Sequence, residues 1–154
     1  MTTTNITDHF TLGEATTTST GLPNVPDLSA LNRLSHTFAQ LERVRTLLSN
    51  RPVHVHSAYR SPDVNRAVGG VPTSQHTRGE AVDFDVQGLS VPEAVRLIAA
   101  SDLPYDQLID EAASGRYGHV TSWVHVSFVS WRAPRRQVLV MRDGRYTPCF
   151  APRE

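Results

Sequence analysis

Hydrophobic residues recur at steps of three and four along one stretch: Leu28, Leu31, Leu34, Phe38, Leu41, Val44 and Leu48. That period predicts an amphipathic helix with Asp27 as its N-cap, ending near Asn50, ahead of Pro52. The pattern then switches to alternation, and Val53-His54-Val55-His56-Ser57 predicts a strand. Ser61-Pro62-Asp63 predicts a short helical turn, with Ser61 as cap and Pro62 at the first helical position, stopping at Gly69-Gly70. Val71 to Gly79 reads as a loop. From Glu80 to Val86 alternation returns: Ala81, Asp83 and Asp85 share one face, and Val82, Phe84 and Val86 the other. Ser90-Val91-Pro92-Glu93 forms a capping box that opens a helix to about Ala100. Gln107 to Asp110 predicts a short strand, Ala112 to Thr121 a loop, and Trp123 to Val129 a strand. Gln137 to Met141 predicts the last strand, before a hairpin-type turn at Asp143-Gly144.

Helices segregated from a mostly antiparallel sheet predict an α+β fold with helices packed on one side. Residues 1–26, rich in Thr, Pro and Gly, read as an N-terminal arm, and Thr16 to Gly21 as extended or loop structure. Residues 27–154 then form a single domain, without internal repeat or linker, and long enough to build a real core.

Composition narrows the partners. The formal net charge is +0, which argues against a nucleic-acid partner, because polyanion-binding modules are normally basic. All 15 cationic residues are arginine, a pattern better explained by coding bias than by arginine's bidentate chemistry. The single cysteine, Cys149, excludes an internal disulfide and a multi-thiolate metal site. Met1 to Phe10 is polar, without the cationic and apolar regions of a secretory signal. No apolar run approaches the roughly 20 residues that span a bilayer. The expectation is a monomer made in the cytoplasm, with no membrane span.

Candidate chemistry concentrates in Ser74-Gln75-His76-Thr77-Arg78-Gly79-Glu80-Ala81-Val82-Asp83, where an imidazole and a carboxylate flank a glycine. Beyond it, Trp123-Val124-His125-Val126 sets a second histidine inside a β-branched run. Alternation turns Asp83 away from Val82 and Phe84, and His125 away from Val124 and Val126. If the two strands pair, Asp83 and His125 lie side by side, and Gly79 lets the loop bring His76 back to them. From spacing alone two readings stand: structural histidines, or a His-Asp-His set that suits Zn²⁺ and leaves a position open. His54, His56, His9 and His36 lack such a context and read as structural or surface histidines.

The run Ser57-Ala58-Tyr59-Arg60-Ser61, then Asn65, Gly69-Gly70, Ser74-x-His76-x-x-Gly79-x-Ala81-x-Asp83 and Trp123-x-His125, resembles a known family. It is similar to the zinc D-alanyl-D-alanine carboxypeptidases and L-alanyl-D-glutamate endopeptidases, from about Phe10 to about Trp131. These are bacterial and phage peptidoglycan peptidases, related in fold to the hedgehog signalling domain. The resemblance implies a zinc peptidase domain with His76, Asp83 and His125 as metal ligands. It implies that Arg60 holds substrate or stabilises a developing oxyanion, and that Ser74 contacts substrate.

One position departs from the family pattern. Many members carry the general base as Glu or Asp three residues before the last zinc histidine, where this chain has Ser122. Glu111 resembles the base of a subgroup that places it at the end of the preceding strand. Asp110 alternates to the opposite face, and His119 is a further candidate for transition-state support.

The resemblance therefore implies a hydrolase of peptidoglycan stem peptides, cutting either the L-Ala-D-Glu or the D-Ala-D-Ala bond. The polar N-terminus adds the expectation of a phage-type endolysin or wall hydrolase, held in the cytoplasm until it reaches the wall. The Arg132, Arg135 and Arg136 cluster reads as a solvated face rather than an envelope contact. Two rivals remain: a non-catalytic zinc-binding interaction module of the same fold, and a metal-dependent hydrolase of a small non-wall substrate. Glu111 and Arg60 count against the first.

Overall fold

The computed structural model describes residues 3–149. Its helices are α1 (Leu12–Ala15), α2 (Leu28–Leu47), α3 (Pro62–Ala67) and α4 (Val91–Ala99). Its strands are β1 (Val53–Ser57), β2 (Ala81–Val86), β3 (Gln107–Ser114), β4 (Val120–Ser127), β5 (Gln137–Arg142) and β6 (Arg145–Pro148). The six strands form one sheet in the order β1-β2-β4-β3-β5-β6. Every neighbouring pair is antiparallel except β3 with β5. The fold is thus α+β with a mostly antiparallel sheet, as the element pattern predicts.

Period two sorts the sheet into two faces. Val55, Val82, Phe84, Val86, Leu108, Val124 and Val126 point to one side, where they join Leu34, Phe38, Leu41 and Val44 of α2 and Val95 and Ile98 of α4 in a single core. The expected caps form: Asp27 accepts from the Ala30 amide, Ser61 from Val64, and Ser90 from Glu93 in a complete capping box. The other face carries the polar and titratable side chains of interest.

Three stretches differ from the alternation-based expectation. The segment read as a loop from Ala112 to Thr121 is a hairpin, with β3 running to Ser114 and β4 starting at Val120. Its small and polar residues hid the strand, because exposed hairpin ends need no apolar alternation. The loop before Gly79 contains a 3-10 turn at Gln75–Arg78. Within the Thr-rich N-terminal stretch, Phe10 and Ala15 sit in the main core, and Phe10 meets Phe38 edge-on at 5.4 Å between ring centroids. The capping box at Thr11 and Glu14 builds α1 there. The Asp143-Gly144 turn forms as expected, with φ of 49° and 81°, the left-handed pair that suits a tight hairpin.

Gly79 couples helix packing to the site. It lies in the left-handed region with φ 78°, and a Cβ there would stand 2.7 Å from the Ala30 carbonyl oxygen. Its own carbonyl accepts from the Thr37 hydroxyl of α2 at 2.8 Å. Glycine is required twice, for its dihedral and for the close approach of the two backbones. We expect Gly79→Ala to cost about 2–4 kcal/mol in urea denaturation, from left-handed strain plus overpacking. Gly144→Ala shares the left-handed φ but meets nothing within 4 Å, and should cost about 1–2 kcal/mol.

Candidate active site

The site begins with register. β2 and β4 pair so that Asp83 stands directly opposite His125, and Val82 opposite Val126 on the core side. The two expected ligands are therefore cross-strand neighbours, with His125 Nδ1 2.9 Å from Asp83 Oδ1. His76 arrives from the 3-10 turn, whose N-cap Ser74 accepts from the His76 amide. Its Nε2 lies 3.3 Å from Asp83 Oδ2. All three side chains are buried, and their ligand atoms lie within 4.8 Å of one another.

The hydrogen bond on the far side of His76 fixes what its Nε2 must be. His76 Nδ1 is 2.7 Å from the Ala58 carbonyl oxygen, which only accepts, so Nδ1 carries the proton and donates. Nε2 of the neutral ring is then a lone pair facing a carboxylate oxygen. Two acceptors at that distance repel unless a cation stands between them. Burial holds His76 below the ordinary histidine range, against the pull of Asp83, so the neutral ring is favoured. In a tetrahedral site with ligands near 2.0–2.1 Å, neighbouring donors stand about 3.3 Å apart. The His76–Asp83 spacing of 3.3 Å matches that edge. The donor set thus fits a metal cation, and its N₂O character suits zinc better than calcium or magnesium.

Charge around the three is arranged to keep Asp83 ionised. Burial alone would raise its pKa, but the hydrogen bond and positive charge of His125 outweigh burial and hold Asp83 far below the usual carboxylate range. Arg60 adds a cation, its Nη2 donating to Asp83 Oδ2 at 3.2 Å. Arg60 is itself held by Nε donating to Ser57 Oγ at 3.1 Å and by its amide donating to the His76 carbonyl at 3.0 Å. Burial works against protonation of His125, but Asp83 and Glu111 together move it above the ordinary range.

Glu111 occupies the same sheet face, two residues along β3 from Ile109, the cross-strand neighbour of His125. Its carboxyl is buried, and burial raises its pKa, with Asp83 adding to the rise and His125 opposing it. Asp110 takes the other face, where Arg142 donates to it at 3.0 Å. Ser122 pairs with Ala112 and faces away from His125. His119 is exposed near the turn of the β3–β4 hairpin and does not line the cleft beside Glu111 and His125.

That cleft has a volume of about 510 Å³ and exposes Ser74, Gln75, Arg78, Glu111, His125 and Tyr146 among its walls. Tyr146 was not expected from the sequence. The only signal for it was continued alternation past the Asp143-Gly144 turn, which places Tyr146 on β6 opposite Met141, the β5 neighbour of Glu111. Burial raises the Tyr146 phenol, and the negative charges of Glu111 and Asp83 raise it further. Trp123, the cross-strand partner of Glu111, turns its buried indole N–H towards that carboxylate without a hydrogen bond of full geometry among the described residues.

Arg132 and Arg135 are partly exposed, yet they do more than solvate a face. Both bind the fully buried Asp106, Arg132 Nη1 at 2.6 Å and Arg135 Nη2 at 2.7 Å, and both line the cleft. Gln75 Nε2 also donates to Asp106 at 2.9 Å, so the residue beside His76 is tied to the same carboxylate. Burial opposes ionisation of Asp106, but these donors keep its pKa far below the usual range. Arg136 turns elsewhere, over the Tyr105 ring and onto the Leu103 and Ser101 carbonyls.

Comparison with known proteins adds a family. A model of the Peptidase M15 family matches residues 8–127. Over 60 residues the chain is 42% identical to the peptidoglycan L,D-endopeptidase MepK of Escherichia coli K12, covering 35% of this chain and 33% of that protein. The protein of the same name from Shigella flexneri matches over 60 residues at the same 42%. The chain spans about a third of the length of these curated relatives.

The Asp106 cluster makes its own prediction. Asp106→Ala strands the donors of Arg132, Arg135 and Gln75, which can rehydrate only in part, and should cost about 1–3 kcal/mol in urea denaturation. Arg132→Ala leaves Arg135 in place and should cost less than half as much.

Proposed function

We propose that this chain, which belongs to the Peptidase M15 family, is a zinc-dependent peptidoglycan peptidase that hydrolyses a stem-peptide amide bond. The observation that carries the reading is the His76 Nε2 lone pair facing Asp83, 3.3 Å away, beside a buried carboxyl with a raised pKa. His76, Asp83 and His125 would hold the zinc. Bound there, zinc supplies a Lewis acid that acidifies water and polarises a carbonyl.

The chain's own residues do the rest. Glu111 is the proposed general base. A buried carboxyl with a raised pKa is the better base, able to take a proton from the attacking water and return it to the departing amine. Arg60 offsets the charge of Asp83 and is the proposed cationic partner for negative charge developing on the carbonyl oxygen. Ser74, at the cleft wall, is the proposed substrate contact.

The name of the MepK relatives, an L,D-endopeptidase, favours the L-Ala-D-Glu bond over the terminal D-Ala-D-Ala bond. The wall-hydrolase setting expected from the sequence, as in a phage-type endolysin, goes with this reading.

Digestion of purified peptidoglycan tests it, with products identified by mass. A new N-terminal D-Glu is expected, whereas loss of one terminal alanine would mean the carboxypeptidase. No change in either would favour a non-catalytic binding module. Chelation should abolish hydrolysis, and one equivalent of zinc should restore it; full activity after thorough metal removal would contradict zinc dependence. Glu111→Gln should keep its zinc and lose about 10²–10⁴-fold in turnover. A nearly unchanged rate would move the base elsewhere.

A further inference from the structure

A second group of metal-ligating side chains lies outside the cleft, on the edge strand of the sheet. His54 and His56 of β1 and Asp85 of β2 place their ligand atoms within 4.8 Å of one another. His54 stands directly opposite Asp85 across the β1–β2 ladder. The register of that ladder shifts between Val55 and Ser57, leaving His56 as the extra residue of a β-bulge. His56 reaches the same carboxylate oxygen that His54 approaches: His56 Nε2 is 2.6 Å from Asp85 Oδ2, and His54 Nδ1 is 3.8 Å from it.

Convergence of this kind needs a reason. The His54 side chain is 73% exposed, so packing does not impose its direction. Its 3.8 Å separation from the carboxylate is too long for a hydrogen bond. The two rings nevertheless sit edge-on, 4.5 Å between centroids, with both turned to one carboxylate. Two imidazoles and a carboxylate on one open face are the donors of a borderline transition metal, and the two nitrogens disfavour calcium and magnesium.

We infer that His54, His56 and Asp85 form a second, solvent-accessible site for a divalent transition metal, zinc in the first instance. The ion would clip the edge strand β1 to β2. The site is separate from the buried set, although Asp83 and Asp85 share a face of β2 about 7 Å apart along the strand. Its exposure to solvent makes it the weaker of the two. The inference does not depend on peptidase activity.

Zinc titration of the metal-free full-length chain, read by competition with a chromophoric zinc indicator, tests this. Wild type should take up two equivalents, the second more weakly. His54→Gln/His56→Gln should take up one and keep its peptidase rate, and Asp85→Asn should weaken the second equivalent at least about tenfold. His76→Ala should lose the tight equivalent and keep the weak one, which separates failure at either site. Zinc should also raise the melting temperature of His76→Ala, with no rise once His54 and His56 are replaced as well. A single equivalent in wild type, or a second equivalent that survives in His54→Gln/His56→Gln, would overturn the inference.

Discussion

The register of β2 against β4 is the constraint on which the site depends. Asp83 meets His125 because Val82 meets Val126 and Phe84 meets Val124 in the same ladder. Those four apolar residues are fully buried in the core under α2 and α4. A slip of one residue would turn Asp83 or His125 into the core and an apolar side chain out of it, so core packing enforces the Asp83–His125 pair. The chemistry is therefore secured by hydrophobic burial on the opposite face of the sheet, not by the polar contacts among the ligands. Those contacts alone would be costly, because they collect a carboxylate and two imidazoles out of water.

His76 has no ladder to hold it and is positioned from three directions instead. Gly79 lets its loop lie against α2, the Ala58 carbonyl fixes its tautomer, and Gln75 ties its neighbour to Asp106. Asp106 also holds the crossover from β4 to β5. Its backbone accepts from Gln137 and donates to Ser127, while its carboxylate holds Arg132 and Arg135. This crossover carries the chain past β3 to make the single parallel pairing of the sheet. One buried carboxylate thus links the His76 loop to the wall of the cleft. Its two arginines, partly exposed, present positive charge along the cleft.

Much of this was legible in the sequence, for particular reasons. Alternation around Asp83 and His125 revealed their shared face because each sits between β-branched or aromatic neighbours that must be buried. The same rule separated Glu111 from Asp110, and the structure puts them on opposite faces of β3. Capping residues located α2, α3 and α4 because a side-chain oxygen three residues before an orphan amide is a local signal. The hairpin at Ser114–Val120 was not legible, since Ala, Ser, Gly and Arg carry no alternation when both faces meet water. Asp106 was missed for another reason, because its role arises from long-range contacts that leave no periodic trace, while Tyr146 carried only the alternation beyond the Asp143-Gly144 turn. The hold of Arg132 and Arg135 on Asp106 was not legible either, because a cluster of arginines in sequence does not disclose a buried carboxylate 26 to 29 residues earlier.

The central claim is that a metal belongs between His76 Nε2, Asp83 and His125 Nδ1. Anomalous diffraction at the zinc edge, from crystals of protein loaded with one equivalent of zinc, tests it most directly. A peak bonded to those three side chains at about 2.0–2.2 Å is the predicted result. Zinc bound only elsewhere, with His76 and Asp83 still in direct contact, would contradict it.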